Sequence, residues 1–103
     1  MTLSQSTEQN YTVISVSGRL DTVTAPDFDS YVEKNVTAGD TAINLAEVEY
    51  LSSAGLRSLL KIGKKTIKEG GEFCIIGASG IVAEVLEESG LDSVLKVKAS
   101  LSD

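Results

Sequence analysis

Histidine is absent from the chain, and cysteine occurs once. Without an imidazole the usual general base is missing, so Ser–His and Cys–His nucleophilic catalysis are unavailable. A single thiol, Cys74, excludes an internal disulfide and a zinc site of clustered thiolates. It lies in the apolar run "FCII", where a thiol behaves as a small buried hydrophobe, and no basic neighbour is there to activate it. Positive charge is also scarce: 9 Lys and Arg against 15 Asp and Glu leave a net charge of −6. That balance disfavours direct contact with nucleic acid or anionic lipid, both of which need a basic surface. No apolar run approaches the roughly 20 residues that span a bilayer. The start, "MTLSQSTEQNY", lacks the basic and apolar regions of a signal peptide, so the expectation is a soluble, cytoplasmic protein.

What is present suits one folded domain over residues 1–103, with 42% hydrophobic and 23% charged residues. Residues 3–7 and 11–17 read as two strands, and "EQN" between them suits a tight hairpin, so the pair is expected to be antiparallel. In "YTVISVS" the apolar residues change parity between Val13 and Ile14, which predicts a strand buried partly on both faces. Gly18 is read as the strand's end and "RLDTVT" as a loop. A helix is expected near Pro26, with Phe28, Tyr31, Val32 and Val36 as its apolar stripe and "TAGD" as its stop. "TAINL", residues 41–45, follows as a short strand.

From Ser53 onward, Leu56, Leu59, Leu60, Gly63 and Ile67 recur at helical spacing, and the pattern ends at Gly70–Gly71. Arg57, Lys61, Lys64, Lys65 and Lys68 lie off that stripe and read as a solvated basic face. "EFCIIG" is a buried strand. Ser79 is a candidate cap for a third helix with Ile81, Val82, Val85 and Leu86 inward and Gly90 at its stop. "SVLKV" gives a last strand, with "KASLSD" as a tail. The order ββαβαβαβ implies an α/β domain: a mixed, mostly parallel sheet with helices packed against it.

Sites in such folds gather in loops after the carboxyl ends of strands. One of these loops leads into "YLSSAGLRSLL", Tyr50 to Leu60. A serine at a helix start satisfies an otherwise unpaired backbone N–H, which accounts for one of the two hydroxyls. Gly55 costs helix stability, so close packing against the sheet or access for a partner must favour it. A hydrolytic nucleophile lacks both a base and a G-x-S-x-G elbow. A phosphate loop lacks the glycine spacing and the lysine that follows it. A weak anion site at the helix N-terminus and a regulated surface serine remain open.

The chain resembles the STAS domain, specifically the single-domain bacterial anti-sigma factor antagonists. The resemblance runs from about Leu3 to Val97 and is anchored by "SGRLDTVTA", "VEYLSSAGLRSLL" and "GGEFCIIGAS". It implies a single STAS-like domain, a sheet of four to five strands flanked by three to four helices, with no enzymatic activity, no cofactor and no metal. In such antagonists the serine after the aspartate of a D-S-[SA]-G-L motif is phosphorylated by an anti-sigma factor serine kinase, and a serine phosphatase reverses this. The matching acceptor is Ser53, followed by Ala54, Gly55 and Leu56. Ser52 stands where the family has aspartate, which makes it a second candidate acceptor. Asp21 matches the aspartate expected near the acceptor. The partner-binding set implied is Asp21, Thr22, Ser52, Ser53, Ala54, Gly55 and Arg57. Two other functions stay open: a STAS subunit of another signalling or lipid-transport complex without the switch, and a small-ligand or nucleotide-binding module.

Overall fold

The computed structural model describes residues 1–36 and 39–103. Five strands and three α-helices alternate as the sequence pattern predicts: β1 (Thr2–Glu8), β2 (Tyr11–Leu20), α1 (Ala25–Asn35), β3 (Thr41–Leu51), α2 (Ser53–Lys68), β4 (Phe73–Ile76), α3 (Gly80–Glu88) and β5 (Lys96–Lys98). The strands lie in the order β1-β2-β3-β4-β5. β1 pairs antiparallel with β2, and every later pairing is parallel. Gln9 and Asn10 form the hairpin turn, both with positive φ, the combination that matches the twist of the flanking strands.

All three helices cover one face of the sheet. Phe28 and Val32 of α1, Leu59 and Ile62 of α2, and Val82 and Leu86 of α3 pack with Ile14, Ile43 and Ile75 in a single core. On the other face Val13, Ala42, Cys74 and Ile76 form a smaller cluster, so β2 is buried on both sides as its mixed parity predicts. Leu101 packs on this second cluster together with Tyr11. The C-terminal residues therefore cover the back of the sheet instead of trailing from it. Burial pushes the Cys74 thiol up, away from reactivity. Partial burial and a hydrogen bond donated to Glu72 Oε2 (3.1 Å) raise the Tyr11 phenol to about 12.

Several local expectations are corrected. β2 does not stop at Gly18 but continues to Leu20, because Gly18 adopts φ 87 at a register shift against β3. A glycine in that conformation bulges a strand without ending it. β3 likewise runs past Leu45 to Leu51, paired along β2. α1 ends at Asn35 with Val36 closing the last turn. Part of its expected stop, residues 37 and 38, lies outside the described residues. Ile67, assigned to the buried stripe of α2, is 52% exposed, whereas Ile62 and Thr66 are buried. The packed face runs through Leu59, Ile62, Gly63 and Thr66, and Ile67 falls on its flank at the final turn.

In α3, Ile81 is exposed, and Ser79 precedes the helix without a side-chain capping bond. A short 3₁₀ turn, Leu91–Ser93, replaces the start of the last expected strand, which is limited to Lys96–Lys98. Ser93 and Val94 thus lie before the strand, and Val94 is exposed.

Candidate functional site at the carboxyl end of the sheet

The extra lengths of β2 and β3 carry two loops to the same end of the sheet. Leu20 and Leu51 are paired in register there, and the Ser52 N–H donates to the Leu20 carbonyl at 3.0 Å. Asp21 follows one partner of that bond and Ser53 follows the other, so the topology brings the two sequence motifs together.

Ser52, not Ser53, is the N-cap of α2. Its backbone is extended, its Oγ accepts from the Gly55 N–H at 3.4 Å, and its carbonyl accepts from Leu56 N at 2.9 Å. Ser53 is the first helical residue and is exposed, whereas Ser52 is half-buried. The two neighbouring hydroxyls are therefore inequivalent: one completes the helix and the other faces solvent beside the free N–H groups of its first turn.

Gly55 is buried. A β-carbon there would lie 2.6 Å from the Leu20 carbonyl oxygen and 2.7 Å from Leu51 Cδ1. Of the two uses the sequence allows for this glycine, close packing accounts for it. Gly55 serves the site from below, by letting the helix start sit directly on the strand ends.

Asp21 organises the facing loop. Its Oδ1 accepts from the N–H groups of Val23 (3.0 Å) and Thr24 (3.1 Å), and its Oδ2 accepts from Arg19 Nε (3.3 Å). The Thr24 hydroxyl accepts from Asp21 N and donates to the Arg19 carbonyl, both at 2.9 Å. Hydrogen bonds from Thr24, with smaller help from Arg19 and Val23, hold the Asp21 carboxyl below its ordinary range. The carboxylate is thus ionised and fixed in place near the serines.

Thr22, Ala54 and Arg57 meet along a groove between α1 and α2, open to solvent and about 300 Å³ in volume. Pro26 and Asp29 line its α1 side, and Ser58 and Lys61 its α2 side. The seven sequence-derived positions thus fall at one end of the molecule: six around the loops and groove, with Gly55 beneath them. Sequence reasoning missed Arg19 and Tyr50, where the guanidinium stacks 4.3 Å from the ring centroid. It also missed Val23, a loop-tip side chain 83% exposed. The only signal for the Arg19–Tyr50 pair is their cross-strand register, which follows from a strand extension that local propensity does not reveal.

No group of three or more metal-ligating side chains occurs among the described residues, and no helix of the structure is long and apolar enough to cross a membrane.

The STAS domain family model matches residues 3–103. A crystal structure of an anti-sigma factor antagonist from Mycobacterium paratuberculosis superposes with a TM-score of 0.87 and 31% identity, covering 99% of this chain and 88% of that one. The anti-sigma-F factor antagonist RsfB of Mycobacterium tuberculosis is 28% identical over 93 residues, 88% of this chain and 75% of its own length. An anti-sigma-B factor antagonist of Staphylococcus aureus is 25% identical over 99 residues, 94% of this chain and 92% of its own length. With a family match across nearly every residue and the same five-stranded α/β fold, the chain belongs to the STAS domain family.

Proposed function

We propose that this protein is a non-catalytic anti-sigma factor antagonist that docks on an anti-sigma factor kinase and is switched off by phosphorylation of Ser53. Docking uses the loop of Asp21 and Thr22, the first turn of α2 and the groove wall at Arg57. A serine phosphatase resets the switch. The observation that carries this reading is the division of labour between the serines. Ser52 is occupied as a cap, while Ser53 stands exposed on a start of α2 that is held by the sheet. The chain's similarity to anti-sigma factor antagonists supports the partner class.

The physics of the switch follows from the site. A phosphate on Ser53 adds a charge of about −1.5 to −2 at neutral pH. In the free domain the N–H groups and dipole of α2 accommodate it, so the fold persists. Against a docked partner the same charge loses water and adds to the fixed negative charge of Asp21. Phosphorylation therefore releases the partner by local repulsion, without refolding.

Affinity capture of the tagged domain from its own cells, with phosphosite mass spectrometry on the captured sample, tests this directly. The expected result is a kinase-fold partner and phosphate on Ser53. Ser53→Asp should weaken binding at least about tenfold, roughly 1.4 kcal/mol, while the melting temperature stays near that of the parent. Phosphate on neither serine, together with undiminished capture by Ser53→Asp, would refute the switch. Ser52 in place of the family's aspartate supports the alternative of a STAS subunit without a phosphoswitch, and that same outcome would favour it. A melting temperature raised by nucleotide in a thermal-shift screen would instead point to a ligand-binding module.

A further inference from the structure

The two edges of the sheet are protected very differently. β5 is only three residues long and carries Lys96 and Lys98, the short, charged design that discourages pairing with another chain. β1 is seven residues long and has no lysine, no proline and no bulge. Its only charged residue, Glu8, is at the end beside the turn. Every β1 residue except Leu3 is exposed. The edge is therefore extended, polar and unguarded.

Its register makes it self-complementary. Glu8 and Tyr11 flank the hairpin turn, so hydrogen-bond alternation directs the backbone groups of Glu8, Ser6, Ser4 and Thr2 toward β2. Those of Leu3, Gln5 and Thr7 then point outward. We propose that β1 pairs antiparallel with β1 of a second copy of this chain, on a two-fold axis at Gln5, to form a continuous ten-stranded sheet.

This arrangement sets Leu3 opposite Thr7 of the second copy, and each such pair can exchange both N–H···O bonds. Ser4 faces Ser6 of the second copy on the back of the sheet, where serine hydroxyls hydrogen-bond across strands. Glu8 falls opposite Thr2, so no like charges meet even though each chain carries a net −6. The net charge still opposes approach at long range. The association therefore strengthens as salt screens it, the reverse of an interface held by ion pairs. Ser53 follows β3 and is two strands away from the paired edge.

Sedimentation equilibrium of the full chain from about 10 µM to about 1 mM, at low and at moderate salt, tests the pairing. The expected mass rises from 10.8 kDa toward twice that value, with a tighter dissociation constant at moderate salt. Gln5→Pro removes an outward N–H and leaves the inward ladder to β2 intact, so it should weaken the dimer at least tenfold. Amide exchange by NMR provides the second readout: Leu3, Gln5 and Thr7 should gain protection as concentration rises, with circular dichroism confirming that the variant is folded. A monomer at every concentration and salt would overturn the proposal. So would a dimer that Gln5→Pro leaves unchanged, or concentration-dependent protection that avoids β1.

Discussion

The starts of α2 and α3 share a local recipe, a parallel strand that leads to a serine before the first helical turn, yet they are held very differently. At α2 the serine caps the helix, its N–H reaches across to the Leu20 carbonyl, and Gly55 lets the first turn rest on the strand ends. At α3 Ser79 makes no side-chain capping bond, and Gly80 has open space where a side chain would go. Sequence alone made the two serines look alike. Long-range pairing decides between them, because β2 and β3 extend far enough to supply a backbone acceptor beside α2. A rigid helix start can keep its shape while a charge is added to it, and of these two it is the α2 start that is built that way.

Alanine placed at each glycine tests this contrast most severely. At Gly55 the new methyl group meets Leu20 backbone and Leu51, neither of which can yield without moving a strand end. Overpacking against atoms this close falls at the upper end of about 1–3 kcal/mol, and the roughly 1 kcal/mol that alanine gains in a helix leaves a net loss of about 2 kcal/mol. We expect Gly55→Ala to lower the melting temperature by about 10 °C and to weaken partner docking with it. At Gly80 the cost is conformational, since φ is 55 and nothing lies within 4 Å. Gly80→Ala should lose about 1 kcal/mol, and Gly80→Asn should recover part of that, because asparagine tolerates the left-handed region. Differential scanning fluorimetry of the four alanine and asparagine variants measures the difference. An asparagine that rescues Gly55 as well as Gly80 would dissolve the distinction.

The same contrast explains what could be read from residues alone. The hairpin, the order of the elements and the double-sided burial of β2 were legible because they follow from local parity and helical spacing. The far ends of β2 and β3 were not. Gly18 carries a stop signal that a bulge overrides, and the alternation of "AEVEY" is out of phase with Ile43 and Leu45, so it reads as a continuation of the strand only once the register shifts against β2 are known. Choosing Ser52 as the cap depended on those ends, as did the cross-strand stack of Arg19 on Tyr50. Ile67 departs from the expected stripe because the packed face of α2 runs through Gly63 and Thr66, which leaves Ile67 on its flank. The candidate site was nonetheless legible in position, because its loops carry the motifs that the family resemblance rests on.

A smaller effect separates the two serines themselves. Ser52→Ala removes the acceptor for Gly55 N and should cost about 0.5–1 kcal/mol, the low end for a lost cap, since the bond is long at 3.4 Å. Ser79→Ala removes no capping bond and should leave stability within about 0.5 kcal/mol of the parent. Urea unfolding of both variants resolves this, with unchanged slopes showing that the folded and unfolded states keep their compactness. Equal losses at the two positions would mean that the cap contributes nothing particular to α2.

The smallest expected effect lies across the site from α2, at Asp21. Because its folded-state pKa is depressed, its contribution is present above the unfolded carboxyl value of about 3.9 and disappears as pH falls through the folded value. Asp21→Asn keeps an oxygen where Oδ1 accepts from Val23 and Thr24, and loses the charge together with the Oδ2 acceptor that faces Arg19. That ion pair involves a largely exposed guanidinium, so water screens it and little stability depends on it. At neutral pH the variant should therefore melt close to the parent, while its acid limb becomes flatter below about pH 4. Partner binding should change more than stability, since the fixed charge beside Ser53 is what a phosphate is proposed to add to. Melting curves across that pH range, with binding measured in parallel at neutral pH, separate the two roles. An acid limb identical to the parent's would show that loop geometry alone, and not the ionised carboxylate, is what Asp21 contributes to the fold.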